Sequence, residues 1–185
     1  MSIIPILQYP NPRLKLNAHW VEDFKDLALQ CILDNMLETL SNSKNCAALA
    51  ASQLDIEKPP FATVISKDVL VRKELEDDSI AIDNHLCLLN IKILSTSGNT
   101  NLKEGCMSVM NNIYKAVNRA QRIEVLCCNR QGQELRFFAN GFLAKCIQHE
   151  LDHLHGKIFI DHLSSFSRKL VDQKLLKARL KKSPK

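Results

Sequence analysis

Two histidines and a glutamate stand in this chain where metal-assisted hydrolysis could be run. Residues 148–154 are Gln148, His149, Glu150, Leu151, Asp152, His153 and Leu154, which contain the pattern His-Glu-x-x-His. On an α-helix the four-residue step brings both imidazoles to one face, where they can hold one ion. Glu150, next to the first ligand, could take a proton from a water held by that ion. A catalytic site of this type needs a third protein ligand and one open position. The candidate is Cys106, within Glu104, Gly105, Cys106, Met107 and Ser108. A thiolate with two imidazoles suits zinc or ferrous iron and leaves room for a water nucleophile. A lone His-x-x-x-His pair is as often two surface histidines as a ligand pair, so the surrounding elements decide.

The helix has independent support. Phe142, Leu143, Cys146, Ile147, His149, Glu150, His153 and Leu154 recur at steps of three and four, Asn140 is a suitable N-cap, and Gly156 sits where a helix stop is expected. Joined to Glu-Gly-Cys-Met-Ser about forty residues upstream, this segment closely resembles the third and second motifs of the peptide deformylases. The family's first motif, Gly-x-Gly-x-Ala-Ala-x-Gln, has its counterpart at residues 46–53, where Ala50, Ala51 and Gln53 are kept and Cys46 and Ala48 replace the two glycines. The resemblance runs from about Pro10 into the C-terminal helix.

That resemblance implies an α+β fold of small antiparallel sheets packed around the central His-Glu-x-x-His helix, with a C-terminal helix. It implies removal of the N-formyl group from nascent polypeptides that begin with formylmethionine. Cys106, His149 and His153 would hold one metal ion, Fe2+ by family analogy, although the ligand set also accepts Zn2+, Ni2+ or Co2+. Glu150 would move the proton, while the Gln53 amide and the Met107 backbone N–H would meet the developing oxyanion. Ala47, Ala48, Glu104, Phe142, Lys145 and Cys146 would border the substrate. Glu104 and Asp152 could also act from behind the ligands, on a histidine or on a basic side chain such as Arg119.

The chain also departs from the family. Glycine permits backbone dihedrals and a close approach that a residue with a Cβ does not, so Cys46 and Ala48 are expected to reshape or narrow the peptide-binding edge. After Val109 the chain continues Met110, Asn111, Asn112 where deformylases commonly carry Pro-Gly. Lys145 replaces an aliphatic residue near the pocket for the substrate's first side chain. Its stem is expected to carry the ammonium outward; turned inward, it would suit methionine less well. These departures motivate the alternative of a weakly active or non-catalytic paralogue that binds at the ribosome. A general His-Glu-x-x-His endopeptidase ranks below both, because Cys106 as third ligand matches the deformylases.

The other elements scaffold this site. A helix is expected over residues 22–41, with Phe24, Leu27, Ala28, Cys31, Ile32, Met36 and Leu40 on its apolar face. Strands are expected over 61–65 and 86–94, with a turn at 95–100, and a hairpin over 123–138 turns at 129–132. Residues 67–83 are read as a variable loop, and the stretch to Trp20 as an extended arm with turns.

A length of 185 residues with 45% hydrophobic content fits one domain with a real core. Seven cysteines, an odd number without regular spacing, read as reduced thiols. No apolar run approaches a membrane span, and the start lacks a basic segment followed by an apolar one, so the expected compartment is the cytoplasm. The net charge of +5 is uneven: residues 167–185 hold eight Lys or Arg against Asp172, leaving 17 basic and 19 acidic residues in the first 166. Residues 1–166 are therefore read as the catalytic domain and 167–185 as its basic C-terminal helix and tail. Phe166, Leu170, Val171, Leu175 and Ala178 would dock, while Lys174, Lys177 and Lys181 project together. In bacterial deformylases such a helix contacts the ribosome, so ribosomal RNA is an expected partner.

Overall fold

The computed structural model describes residues 2–70, 74–76, 85–109 and 113–182. In chain order these form α1 (Leu27–Asn42), β1 (Ala48–Ala50), β2 (Ala62–Ile65), α2 (Lys67–Leu70), β3 (Leu75–Glu76), β4 (Leu86–Ser97), β5 (Lys103–Glu104), β6 (Lys115–Ala116), β7 (Arg122–Cys128), β8 (Glu134–Asn140), α3 (Gly141–Leu154) and α4 (Ser165–Lys182). Six strands make one antiparallel sheet in the order β1-β2-β4-β7-β8-β3, and β5 pairs with β6 in a second.

Period-two alternation assigns the faces of the large sheet. Ala48 and Ala50 of β1, Ile65 of β2 and Leu88 of β4 point to the same core as Leu143, Ala144 and Ile147 of α3. Leu49, Val64, Cys87 and Leu89 point the other way, toward Leu29, Leu33, Met36 and Leu40 of α1. The half of the sheet that meets the site is thus covered on both faces, while β7 buries only Ile123, Val125 and Cys127 from alternate positions. The same carbon skeletons that hold α3 against β1 fix where its histidines face.

Several expectations shift. Helix α1 starts at Leu27 because the Asp26 carboxylate caps Ala28 N–H at 2.9 Å. Its buried stripe is Leu29, Leu33, Met36 and Leu40, so Leu27, Ala28 and Cys31 lie exposed, and Phe24 packs on the core from before the helix. Within 67–83 the chain is not all loop: 67–70 is a helical turn and 75–76 an edge strand on β8, while 71–73 and 77–83 lie outside the described residues. Met110, Asn111 and Asn112 are outside them too. Strand β4 runs three residues further than expected, with a register shift beside Asn90. Asn90 has φ 55° and exchanges two hydrogen bonds with the backbone of Val21, which ties the N-terminal arm to the sheet.

Asn140 does occupy the residue before α3, but its side chain makes no cap bond to the first turn. The Glu74 carboxylate accepts Leu143 N–H at 2.7 Å instead, a charge well placed at a helix N-terminus. At the other end Gly156 has φ 66°, and a Cβ there would meet the Lys15 carbonyl oxygen at 2.4 Å. Only glycine lets α3 stop while the N-terminal arm crosses its end.

Candidate metal centre

Helix α3 brings His149, Glu150 and His153 to the sheet, and the turn after β5 brings Cys106 to meet them. One ligand atom from each of Cys106, His149 and His153 lies within 4.8 Å of the other two. Cys106 Sγ is 3.2 Å from His153 Nε2, and the imidazole rings are 5.0 Å apart at 78°. At Gly105 a Cβ would fall 2.5 Å from the ring of the exposed Tyr114, which would have to swing away.

The ligand side chains are oriented from behind. His149 Nδ1 faces Glu104 Oε2 at 2.9 Å, which turns its Nε2 toward the centre. Arg119 donates from Nε and Nη2 to Glu104 at 2.8 and 3.1 Å, and from Nη1 to Asp152 at 2.7 Å. Asp152 in turn meets His162 Nε2 at 2.7 Å. Glu104 and Asp152 therefore sit where the sequence placed them relative to Arg119. Glu104, also expected against substrate, borders the pocket with both carboxylate oxygens already engaged. Ser52 Oγ donates to the His153 carbonyl at 2.7 Å and steadies the helix at the second ligand.

The electrostatics follow from this packing. Burial pushes the Glu104 carboxyl up, but the hydrogen bonds from His149 and Arg119 outweigh it and hold it at about 2. Burial, helped by the negative charges of Glu104 and Asp152, raises Glu150 to about 7, the positive field of His149 and the Ala50 N–H only partly opposing it. His153 is driven down by burial and by the charges of His149 and Arg119. Burial also disfavours the charged form of His149, yet Cys106 and Glu104 overcome that and raise it well above its ordinary value. The field that draws a proton onto His149 is the field that would retain a cation between thiolate and imidazoles. Glu150 Oε2 is buried without a hydrogen-bond partner among the described residues, as expected of a group that awaits a ligand. On donor chemistry and on this orphaned oxygen, the residues fit one divalent ion with an open position.

Around the centre lies a pocket of about 510 Å³, bordered by Ala47, Ala48, Gln53, Met107, Phe142 and Cys146 among others. Gln53 Oε1 accepts Ala50 N–H at 2.9 Å, and Nε2 lies 3.4 Å from Cys106 Sγ and 3.3 Å from Ser108 Oγ. Ser108 and Ser52 were not singled out from the sequence, though both lie inside the motifs. Strand β1 is an edge of the six-stranded sheet, so among the described residues the backbone on this side has no strand neighbour.

Two departures resolve in opposite ways. Among the described residues the non-glycine positions with positive φ are Asn45 and Asn90, so Cys46 and Ala48 pay no conformational penalty for replacing glycine. What Cys46 adds is bulk: its thiol borders the pocket and donates to the Ala48 carbonyl at 3.2 Å, and burial raises it to about 12. Lys145 does not reach outward. It is 7% exposed and borders the pocket, because its stem runs along the same face of α3 as His149.

This architecture and this centre define a metal-dependent hydrolase of α+β class. The sequence profile described as Polypeptide deformylase matches residues 3–169. The chain is 49% identical to peptide deformylase 1 of Coxiella burnetii over 94% of its own length and 95% of that protein's. It superposes on a peptide deformylase from Legionella pneumophila with a TM-score of 0.81 and 32% identity, covering 99% of this chain and 100% of that one. The peptide deformylase of Ehrlichia chaffeensis, solved in complex with actinonin, gives 0.79 and 32% over 96% and 98% of the two chains. The chain belongs to the polypeptide deformylase family.

Proposed function

We propose that Cys106, His149 and His153 hold one divalent ion, and that the pocket beside them removes the N-formyl group from newly made polypeptides that begin with formylmethionine. The observation that carries this reading is the meeting of the three ligand atoms within 4.8 Å next to the buried, unpartnered oxygen of Glu150. When bound, the ion supplies Lewis-acid polarisation and makes water a competent nucleophile at neutral pH.

The protein's own groups do the rest. The edge strand β1, whose Ala48 carbonyl already accepts from Cys46 and whose Ala50 N–H already donates to Gln53, offers its remaining backbone hydrogen-bonding groups to an extended peptide. Glu150 takes a proton from the attacking water and returns it to the amine nitrogen as the C–N bond breaks, which yields formate and a free N-terminus. Its raised pKa, about 7, suits a group that must both accept and donate. The Gln53 amide and the Met107 N–H donate to the formyl oxygen as charge develops on it. Family analogy favours iron(II), although Zn2+, Ni2+ and Co2+ also suit this ligand set.

The cytoplasm is the proposed compartment, supported by the nascent-chain substrate; among the described residues no helix is long and apolar enough to cross a membrane. The ribosome is the proposed partner through α4, supported by the excess of basic residues beyond 166. The domain reading holds α4 as part of the catalytic unit, supported by Val171 and Leu175 packing into its core. The alternative of a non-catalytic paralogue gains nothing from the site, which retains ligands, base and Gln53 together.

The test is formate release from formyl-Met-Ala-Ser by protein purified without oxygen and loaded with ferrous iron. Glu150→Ala is expected to lower kcat by about 10²–10⁴-fold while metal analysis still finds one ion per chain. Equal turnover by the variant would remove Glu150 from the reaction.

A further inference from the structure

Lys145 lies one turn before His149, so its side chain enters the pocket that holds the metal centre. Its Nζ donates to the Lys103 carbonyl at 3.1 Å and stands 4.6 Å from the centroid of the Phe142 ring. An ammonium has three N–H donors. Among the described residues the Lys103 carbonyl is its only hydrogen-bond acceptor and no carboxylate pairs with it, so two donors remain for whatever occupies the pocket. A buried donor without an acceptor is costly, and a thioether sulfur is a weak acceptor where a sulfoxide or carbonyl oxygen is a strong one. Phe142, Ile113 and Tyr114 supply apolar wall for a methylene stem. Lysines 44 and 103 border the same pocket; Glu104 and Glu150 border it too, with both Glu104 carboxylate oxygens already engaged by Arg119 and His149.

On the deformylase reading, we propose that Lys145 selects substrates by their first side chain, favouring an unbranched chain that ends in an oxygen acceptor over an apolar one of the same length. Methionine sulfoxide, formed when a formylated N-terminus is oxidised, has this chemistry; norleucine is its apolar counterpart. A charge-assisted hydrogen bond gained in the complex is expected to favour the acceptor about tenfold or more in kcat/KM.

The experiment measures kcat/KM for formate release from formyl-norleucine-Ala-Ser and formyl-methionine-sulfoxide-Ala-Ser, with the metal-loaded full chain and with its Lys145→Leu and Lys145→Arg variants. The ratio of the two substrates is independent of how much of each preparation is active. The unsubstituted chain is expected to prefer the sulfoxide by about tenfold, Lys145→Leu to prefer norleucine, and Lys145→Arg to retain the acceptor preference. A norleucine rate equal to or above the sulfoxide rate, or a ratio unmoved by Lys145→Leu, overturns the inference alone. Release from neither peptide, nor from formyl-Met-Ala-Ser, overturns the deformylase reading and this inference with it.

Discussion

Helices α3 and α4 close the chain one after the other, and they invert the usual relation between polarity and burial. Helix α3, of 14 residues, buries Lys145, His149, Glu150 and His153 beside its leucines and isoleucine. Helix α4, of 18 residues, leaves Phe166, Leu170, Leu176 and Leu180 exposed and buries Val171 and Leu175. Polar groups go inside α3 because others meet them there: Glu104 for His149, Lys103 for Lys145, Ser52 at the backbone of His153. Glu150 Oε2 and His153 Nδ1 are the α3 side-chain atoms left buried without a partner. Helix α4 has no such chemistry to serve; one narrow apolar stripe holds it in the core, and polar contacts of Arg168, Asp172 and Arg179 tie it from outside. Burial in this half of the molecule follows the needs of the metal centre more closely than hydropathy.

Removing the partner that makes α3 tolerable should therefore do the greatest damage to stability. Arg119→Ala leaves Glu104, 2% exposed, with its negative charge and only His149 beside it, and leaves Asp152 with His162 alone. Breaking a buried pair from one side costs about 3–5 kcal/mol, to be read from urea unfolding of the metal-loaded protein. A loss below about 1 kcal/mol would mean that the pair behaves as a surface ion pair, and the contrast with α4 would lose its physical basis.

On α4 the expected effect is smaller and depends on the stripe. Leu175 packs with Val171 against Ile113, Val117 and Phe159, so Leu175→Ala should cost about 2–4 kcal/mol. Phe166→Ser, one of the exposed positions, should change stability by no more than about 0.5 kcal/mol. If the two variants destabilised equally in the same unfolding assay, the docked face of α4 would have to include Phe166.

The contrast also marks how far the sequence could be read. The centre was legible because its residues are local: the four-residue step of His149 and His153 and the fixed spacing within residues 104–108 are properties of short segments. Glu104 and Asp152 were legible as carboxylates adjacent to ligands, whereas Glu74 as the cap of α3 was not, since the contact comes from a residue 69 positions upstream of Leu143, just before β3. On α1 and α4 the apolar residues outnumber the places available in the core. Periodicity alone therefore chose Leu27, Phe166 and Leu170, which the packing left out. Lys145 turned inward against expectation because the Lys103 carbonyl that receives its ammonium comes from β5, an element that periodicity on α3 does not see, while the Phe142 ring one turn earlier on α3 flanks it.

The last and smallest effect concerns Asp161, which ties α4 to the rest of the chain from outside the core. Its carboxylate pairs with Lys15 of the N-terminal arm and with Arg168 of α4 at 3.1 Å, and accepts Ile158 N–H at 2.9 Å. Burial raises its pKa, but the Lys15 and Ile158 hydrogen bonds and the two positive charges prevail and hold it below the ordinary value of 3.8. Because the folded chain releases this proton more readily than the unfolded one, the contribution is fully present above pH 4 and is lost as pH falls through the depressed value. Solvent-screened pairs of this kind contribute about 0.2–1 kcal/mol, or roughly 1–3 °C in Tm for a chain of this size. Asp161→Asn is expected to lower Tm by that amount at pH 7, and the deficit should shrink as both proteins are melted at successively lower pH toward 3. A deficit constant with pH would mean that Asp161 acts through its geometry, as a cap for Ile158, and that the charges of Lys15 and Arg168 do not anchor α4.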